Sequence, residues 1–400
     1  MEALLLLIVI AAVAGLLVVP AMRRRRLLRG ASGGNAAAVL PGAAYGFVPV
    51  EELDVRLPGP DPQLIDALEE ARAEQEWEQL ARLIALTGDE WELRWQRVQS
   101  AAGAAAKELA DARAAAADAD ADAEAGGGTA PEGGTVSLSK DAATRARVPD
   151  ASWLRRWRAE QPADAGAAEV YAQFLIWQGL AEQPGSDSRR IILEEARAVC
   201  REAAALAPAD PTPYVSELLV ARGLGDRRPD FEALWSEVTR RAPHHMGAHL
   251  AALQYWSENG CGSKEQADAF AQGTASRAPE GTLLPALPLF ALYEHLPEVQ
   301  VVRSLYRSAE VEQAIEAAEF AVDQVDDDHP VRPHVLHLLV CLLVRAERYE
   351  EALEALLVVD GYVGALPWAA TPDPAASYAT YRGLAVAGWE AASRAGTRQA

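Results

Sequence analysis

By type and spacing, the residues best suited to chemistry are histidines. His245 and His249, in the run HHMGAH, lie four apart and so share one face of a helix. Zincins hold a metal between two imidazoles at that interval, with a Glu directly after the first. Here Met246 follows His245, and no third ligand is signalled nearby. The spacing therefore predicts surface or interface histidines. A metal-dependent hydrolase with an atypical helical site around His244, His245 and His249 is the enzymatic alternative. His334 and His337 also share a face, but His337 falls at a packing position. The run NGCGSKE, 259–265, has some likeness to a phosphate loop, which requires GxxxxGK[ST] after a strand. Lys264 follows Ser263 rather than a glycine, and Ser263 reads better as a helix N-cap. There is no HExxH and no GxGxxG. Cys200, Cys261 and Cys341 lie far apart with no CxxC, so neither a disulfide framework nor a zinc site is indicated. No catalytic, cofactor-binding or metal residue is assigned, and no cofactor is expected.

The elements that would position any such residue are helical. Half of the 400 residues are hydrophobic and only 6% are aromatic, with Ala dominating the apolar set. Alanine loses no side-chain entropy in a helix. From Pro149 to about Arg394 the apolar spacing is helical throughout, and no stretch alternates as a strand would. Trp153 and Trp157, four apart in WLRRWR, predict a packing face with Arg155, Arg156 and Arg158 turned outward. The 37 basic against 58 acidic residues give a net charge of −21. That balance argues against nucleic acid, whose binding depends on Lys and Arg neutralising phosphates.

The N-terminus reads as a membrane anchor over residues 1–22. Residues 3–19 are apolar or small without a charge, and Pro20, Ala21 and Met22 extend the run. About 20 residues of helix span a bilayer core. Arg23 to Arg26 follow, while the only charge before the run is Glu2. Positive residues favour the cytoplasmic side, so the N-terminus is expected outside and the C-terminal domain in the cytoplasm, single-pass. A secreted protein with a cleaved leader is the alternative. With Glu2 and five Arg, residues 1–30 carry +4, leaving −25 on the remainder.

Residues 23–60 read as a basic, then Gly/Pro-rich, flexible linker, with order beginning at the N-cap pair Asp61-Pro62. Residues 61–117 predict a helical segment, with one helix from Gln63 to Leu86 ended by Thr87-Gly88. Another starts at Asp89 and carries Trp91, Leu93, Trp95 and Val98. Residues 101–125 contain fifteen Ala, but the DADADAE tail gives no single apolar face, so 118–148 reads as an acidic, Ala/Gly-rich disordered loop.

The domain 149–396 carries a repeat. Ala207-Pro208, Ala242-Pro243 and Ala278-Pro279 each close a helix, at spacings of 35 and 36. Small residues precede the first at Ala196, Cys200 and Ala203. Val238, Trp235 and Phe231 hold those offsets in the second copy, and Thr274, Ala271 and Ala267 in the third. This pattern resembles the tetratricopeptide repeat (TPR). So does PVRPHVLHLLVCLLVRAERYEEALEALLVV, 330–359, with a turn at Ala346–Arg348, Tyr349 at the turn and Ala352 at the small position. The copy before it carries Ala314, Ala318 and Ala321, while Val340 and Val359 depart from the small-residue pattern.

Residues 64–296 are also similar to a bacterial TPR-like family known only as a domain of unknown function. The likeness lies in Trp256, Gly262-Ser263, Phe270-Ala271-Gln272 and Ala278-Pro279-Glu280-Gly281, with Gln272 where that family carries Arg. The resemblance implies an all-α fold of antiparallel helical hairpins stacked as a solenoid. It transfers no activity. The expected role is a protein–protein interaction scaffold or adaptor rather than an enzyme, its partner a protein or peptide with basic character.

Overall fold

The computed structural model describes residues 45–125, 150–296 and 305–397. The apolar run 1–22, Arg23–Arg26 and residues 126–148 lie outside the described residues. Among those described, no helix is long and apolar enough to cross a membrane.

The described chain is all-α, with fifteen α-helices. They are α1 (Pro62–Glu74), α2 (Glu78–Leu86), α3 (Trp91–Ala125), α4 (Ser152–Glu160), α5 (Ala165–Ala181), α6 (Asp187–Leu206), α7 (Thr212–Leu224) and α8 (Arg228–Arg241). After these come α9 (Met246–Trp256), α10 (Lys264–Ala275), α11 (Leu287–Glu294), α12 (Ala309–Asp323), α13 (Arg332–Arg345), α14 (Tyr349–Val359) and α15 (Pro374–Thr397). Side-chain caps start many of them. Asp61, Asp164, Ser186, Ser263 and Ser308 each accept a hydrogen bond from a backbone N–H of the first turn, which would otherwise lack a partner.

Helices pair in sequence order: α5 with α6, α7 with α8, α9 with α10, α11 with α12, α13 with α14. The first members also touch in turn, α5 with α7, α7 with α9, α9 with α11. Burial alternates accordingly. Met246 to Tyr255 of α9 and Val335 to Val344 of α13 are buried on every side. By contrast α8 buries only Phe231 and Val238, and α10 only Ala267 and Ala271. The small residues at the repeat offsets are where the helices approach: Ala196, Cys200 and Ala203 are all buried on α6. The tightest junction is a leucine between two glycines. Leu193 of α6 sits against Gly179 of α5 and Gly223 of α7, where an added Cβ would come within 2.8 and 2.7 Å of its side chain.

Three boundaries differ from the sequence expectation. Residues 45–60 are not a free linker. They form a strap packed on the domain, with Leu53, Leu57, Pro58 and Gly59 buried. The Gly and Pro residues read as flexibility instead permit close approach: a Cβ on Gly59 would lie 2.6 Å from Pro333. The single helix expected over Gln63–Leu86 is two, broken at Gln75, which takes a left-handed φ of 56°. The break folds α1 back on α2 and lets Trp77 stack on Trp157 at 6.0 Å. Finally, α3 continues through 118–125 to Ala125, because alanine propagates a helix without needing an apolar face.

The α3 helix is enclosed. Residues 94–103 are buried all round, because α1 and α2 lie against the helix on one side and α5, α7 and α9 on the other. Val98, Ala101, Ala102, Ala105 and Ala106 are fully buried. Their spacing gives one small-residue stripe, which brings the helix axes close.

Two substitutions test this packing. Leu193→Ala removes the wedge between α5 and α7 and is expected to cost about 2–5 kcal/mol. Ala196→Trp is expected to destabilise by overpacking, by about 1–3 kcal/mol or more. Chemical denaturation followed by far-ultraviolet circular dichroism reads both; midpoints unchanged from wild type would refute the packing described.

Candidate interaction surface and its buried polar groups

His245 and His249 do not form a facing pair. His245 is the N-cap of α9 rather than part of it, and its Nδ1 accepts from the Ala248 N–H at 3.2 Å. Its Nε2 is buried without a hydrogen-bond partner. His249 donates from Nδ1 to the His245 carbonyl at 3.0 Å and sets its ring edge-on to Trp235, 4.9 Å between centroids. The His245 ring instead meets Trp95, at 5.8 Å. Burial lowers both imidazoles, His249 to about 4. Each therefore acts as a neutral packing and capping group. Among the described residues, no three His, Cys, Asp or Glu side chains are grouped so as to hold a metal ion.

Cys200 is buried at its packing position and burial drives its thiol upward. Ser263 caps α10 through Gln266 N. Trp153 and Trp157 are fully buried while Arg155 and Arg156 face solvent.

The charged groups that sequence reasoning missed lie along the first turns of α3. Arg94 reaches Asp210 at 2.5 Å and Glu169 at 2.9 Å, and all three are buried. Arg94 also donates to the Ile84 carbonyl at 2.8 Å. Burial, with the neighbouring Asp210, pushes Glu169 well above the usual carboxylate range. Glu169 and Asp210 thus share the one Arg94 guanidinium, two buried carboxyl groups on a single cation. Arg97 pairs with Asp61 at 2.8 Å and donates to Thr87 Oγ1 at 2.9 Å. Glu92 accepts from Met246 N at the start of α9 and from His329 Nε2 at 2.9 Å. Burial opposes its charge, yet the hydrogen bonds from His329 and from Met246 N bring it below the ordinary carboxylate value. Their partners Asp61, Glu169, Asp210 and His329 come from four other stretches of chain, so no local motif could reveal the set.

A second missed residue is His337. Trp368 Nε1 donates to its Nδ1 at 3.0 Å, and its Nε2 lies 3.0 Å from the Pro58 carbonyl. An indole can only donate, so Nδ1 is the acceptor and Nε2 carries the proton given to Pro58. Burial lowers His337 to about 3, which preserves this neutral tautomer.

Solvent-accessible concavities lie on the outer side. One, of about 690 Å³, runs between α6 and α8 and is lined by Arg197, Arg201, Tyr214, Glu217, Asp226 and Glu237 among others. Arg197 pairs with Asp226 at 2.6 Å and Arg201 with Glu217 at 3.2 Å. Arg201 is 67% exposed and Glu217 only 13%, so an incoming cation could take its place on a carboxylate already held by the wall.

Comparison with family models, with curated proteins and with solved structures returned no match.

The upward shift of Glu169 predicts an asymmetry. Glu169→Gln keeps the neutral shape and is expected to change stability by less than about 1 kcal/mol, whereas Arg94→Met strands the buried Asp210 and is expected to cost about 3–5 kcal/mol. Equal losses in thermal or chemical unfolding would mean that Glu169 is ionised in the fold.

Proposed function

We propose that this chain is a membrane-anchored helical-repeat scaffold whose cytoplasmic domain holds a protein or peptide partner. The observation that supports the reading best is the alternation of burial. First helices such as α9 and α13 are enclosed, while second helices such as α8 and α10 keep an outward face. Coming at intervals of 35 and 36 residues, that alternation fits TPR-like hairpins stacked as a solenoid, a class that works by presenting surface. Fold alone does not fix function, so chemistry must select the partner.

Charge makes that selection. The chain beyond residue 30 carries −25, while in the α6–α8 groove each of the four carboxylates is paired with an arginine that a cationic partner would displace. A negatively charged body steers cationic partners, at rates that fall as salt rises. The anchor reading rests on the apolar run and Arg23–Arg26, and tethering would favour partners already at the membrane by raising their local concentration.

Two measurements test these parts separately. For topology, alkaline phosphatase and a fluorescent protein are fused in turn to the C-terminus. Fluorescence without phosphatase activity is expected, and the reverse would place the domain outside. For partner class, a pull-down with the full chain at low and high salt is expected to recover basic proteins whose retention drops with salt. Neutral or acidic partners, or indifference to salt, would reject electrostatic capture.

A further inference from the structure

The strap, residues 45–59, is held in an unusual way for a segment that belongs to a helical core. It makes one 3-10 turn at Val50–Glu52 and is otherwise irregular, and the domain holds its backbone at several points. Asp360 accepts from Val48 N at 2.6 Å, and Arg382, itself paired with Asp360 at 3.1 Å, donates to the Val48 carbonyl at 2.8 Å. Asp54 N donates to the Gly361 carbonyl and Val363 N to the Asp54 carbonyl, both at 2.8 Å, making a short parallel bridge. Gly364 N donates to the Leu57 carbonyl at 2.9 Å, and His337 closes the series on Pro58.

The receiving surface is built for backbone approach. Gly364 lies against Leu57 so closely that a Cβ would sit 2.6 Å from its backbone nitrogen and carbon. His337, without Pro58, would be a buried donor lacking a partner, a costly arrangement in a core. Only two strap side chains before Pro58 are deeply buried, Leu53 and Leu57; Phe47, Val48, Val50 and Val55 are half-buried. The hold thus combines a series of backbone hydrogen bonds with two buried leucines. Peptide-recognition grooves work this way, with backbone hydrogen bonds for affinity and a few pockets for specificity.

We propose that the groove between α13, the 360–364 turn and α15 is a docking site for a peptide carrying a Leu-x-x-x-Leu-Pro pattern, and that residues 45–59 are its resident, displaceable ligand. This deepens the scaffold reading and rests on it. A partner displaying the same pattern reaches the site by replacing the strap, which in cis holds the groove through a high effective concentration. Displacement releases residues 45–59, so occupancy of the groove and the length of chain before α1 that is free of the domain change together.

The test uses the full chain and a fluorescein-labelled synthetic peptide of residues 45–60, read by fluorescence anisotropy. Leu53→Ala combined with Leu57→Ala weakens the resident strap. That variant is expected to bind the peptide about tenfold or more tightly than wild type. Adding Gly364→Ala or His337→Phe to it is expected to abolish binding. A weakened-strap variant that keeps its helical circular dichroism yet ignores the peptide would overturn the proposal, as would equal binding by wild type.

Should that variant unfold, hydrogen exchange on the wild-type chain decides. The amides of Val48, Asp54, Val363 and Gly364 are expected to exchange faster than those in the middle of α13. Exchange only on global unfolding would mark the strap as a fixed part of the core. Peptide binding with no partner recovered in the pull-down would count against the scaffold reading alone; partners recovered without peptide binding would count against this groove alone.

Discussion

The structure depends on a helix being enclosed by the array it organises. Helices α5, α7 and α9 have apolar residues on every side, and such helices cannot face water. Pairing with α6, α8 and α10 covers one side of them. The α3 helix covers another, and its alanine stripe lets the axes close without leaving voids, since a cavity at such a junction would forfeit contact energy. In turn α1 and α2 cover α3. The N-terminal third of the described chain is thus part of the core of the array rather than an appendage to it.

Burial of α3 brings polar groups inside, and their satisfaction fixes how the helix sits. Arg94 and Arg97 could not be buried alone, because an unpaired interior charge costs several kcal/mol. Asp210, between α6 and α7, and Asp61, at the start of α1, supply the counter-charges, and each also caps a helix through its other oxygen contacts. One aspartate therefore ends a turn and registers α3 at once. Glu92 does the same for the start of α9 and the loop before α13. Sliding α3 by one residue would break all three contacts together.

Two buried apolar clusters result, and they meet at α9. Ala248, Ala251 and Tyr255 belong to the first, and Met246, Leu250 and Leu253 to the second. The strap joins them again from outside, with Leu57 in the first and Leu53 in the second. Solvent-facing surface is accordingly displaced outward, to the half-exposed second helices.

Helix content, the Pro-terminated repeat and the packing role of Ala196, Cys200, Ala203, Trp153 and Trp157 were legible because each is written in spacing along one stretch of chain, and helical periodicity maps spacing directly onto a face. So was Ser263 as a cap, since capping is satisfied within three residues. Gln75 as a chain reversal was not legible, because its left-handed backbone is held by hydrogen bonds to Glu108, Ser152 and Arg156, all remote along the chain. The strap was not legible either, as proline and glycine signal freedom in isolation and close contact only when something stands opposite. The sequence alone determined which segments are helices and which faces they bury. Tertiary structure alone decided that His245 caps rather than faces His249, that Arg94 meets Glu169 and Asp210, and that His337 holds Pro58. The Arg94 and His337 pairings join residues 75 to 279 positions apart, and electrostatics at that range answers to distance in space, on which local periodicity carries no information.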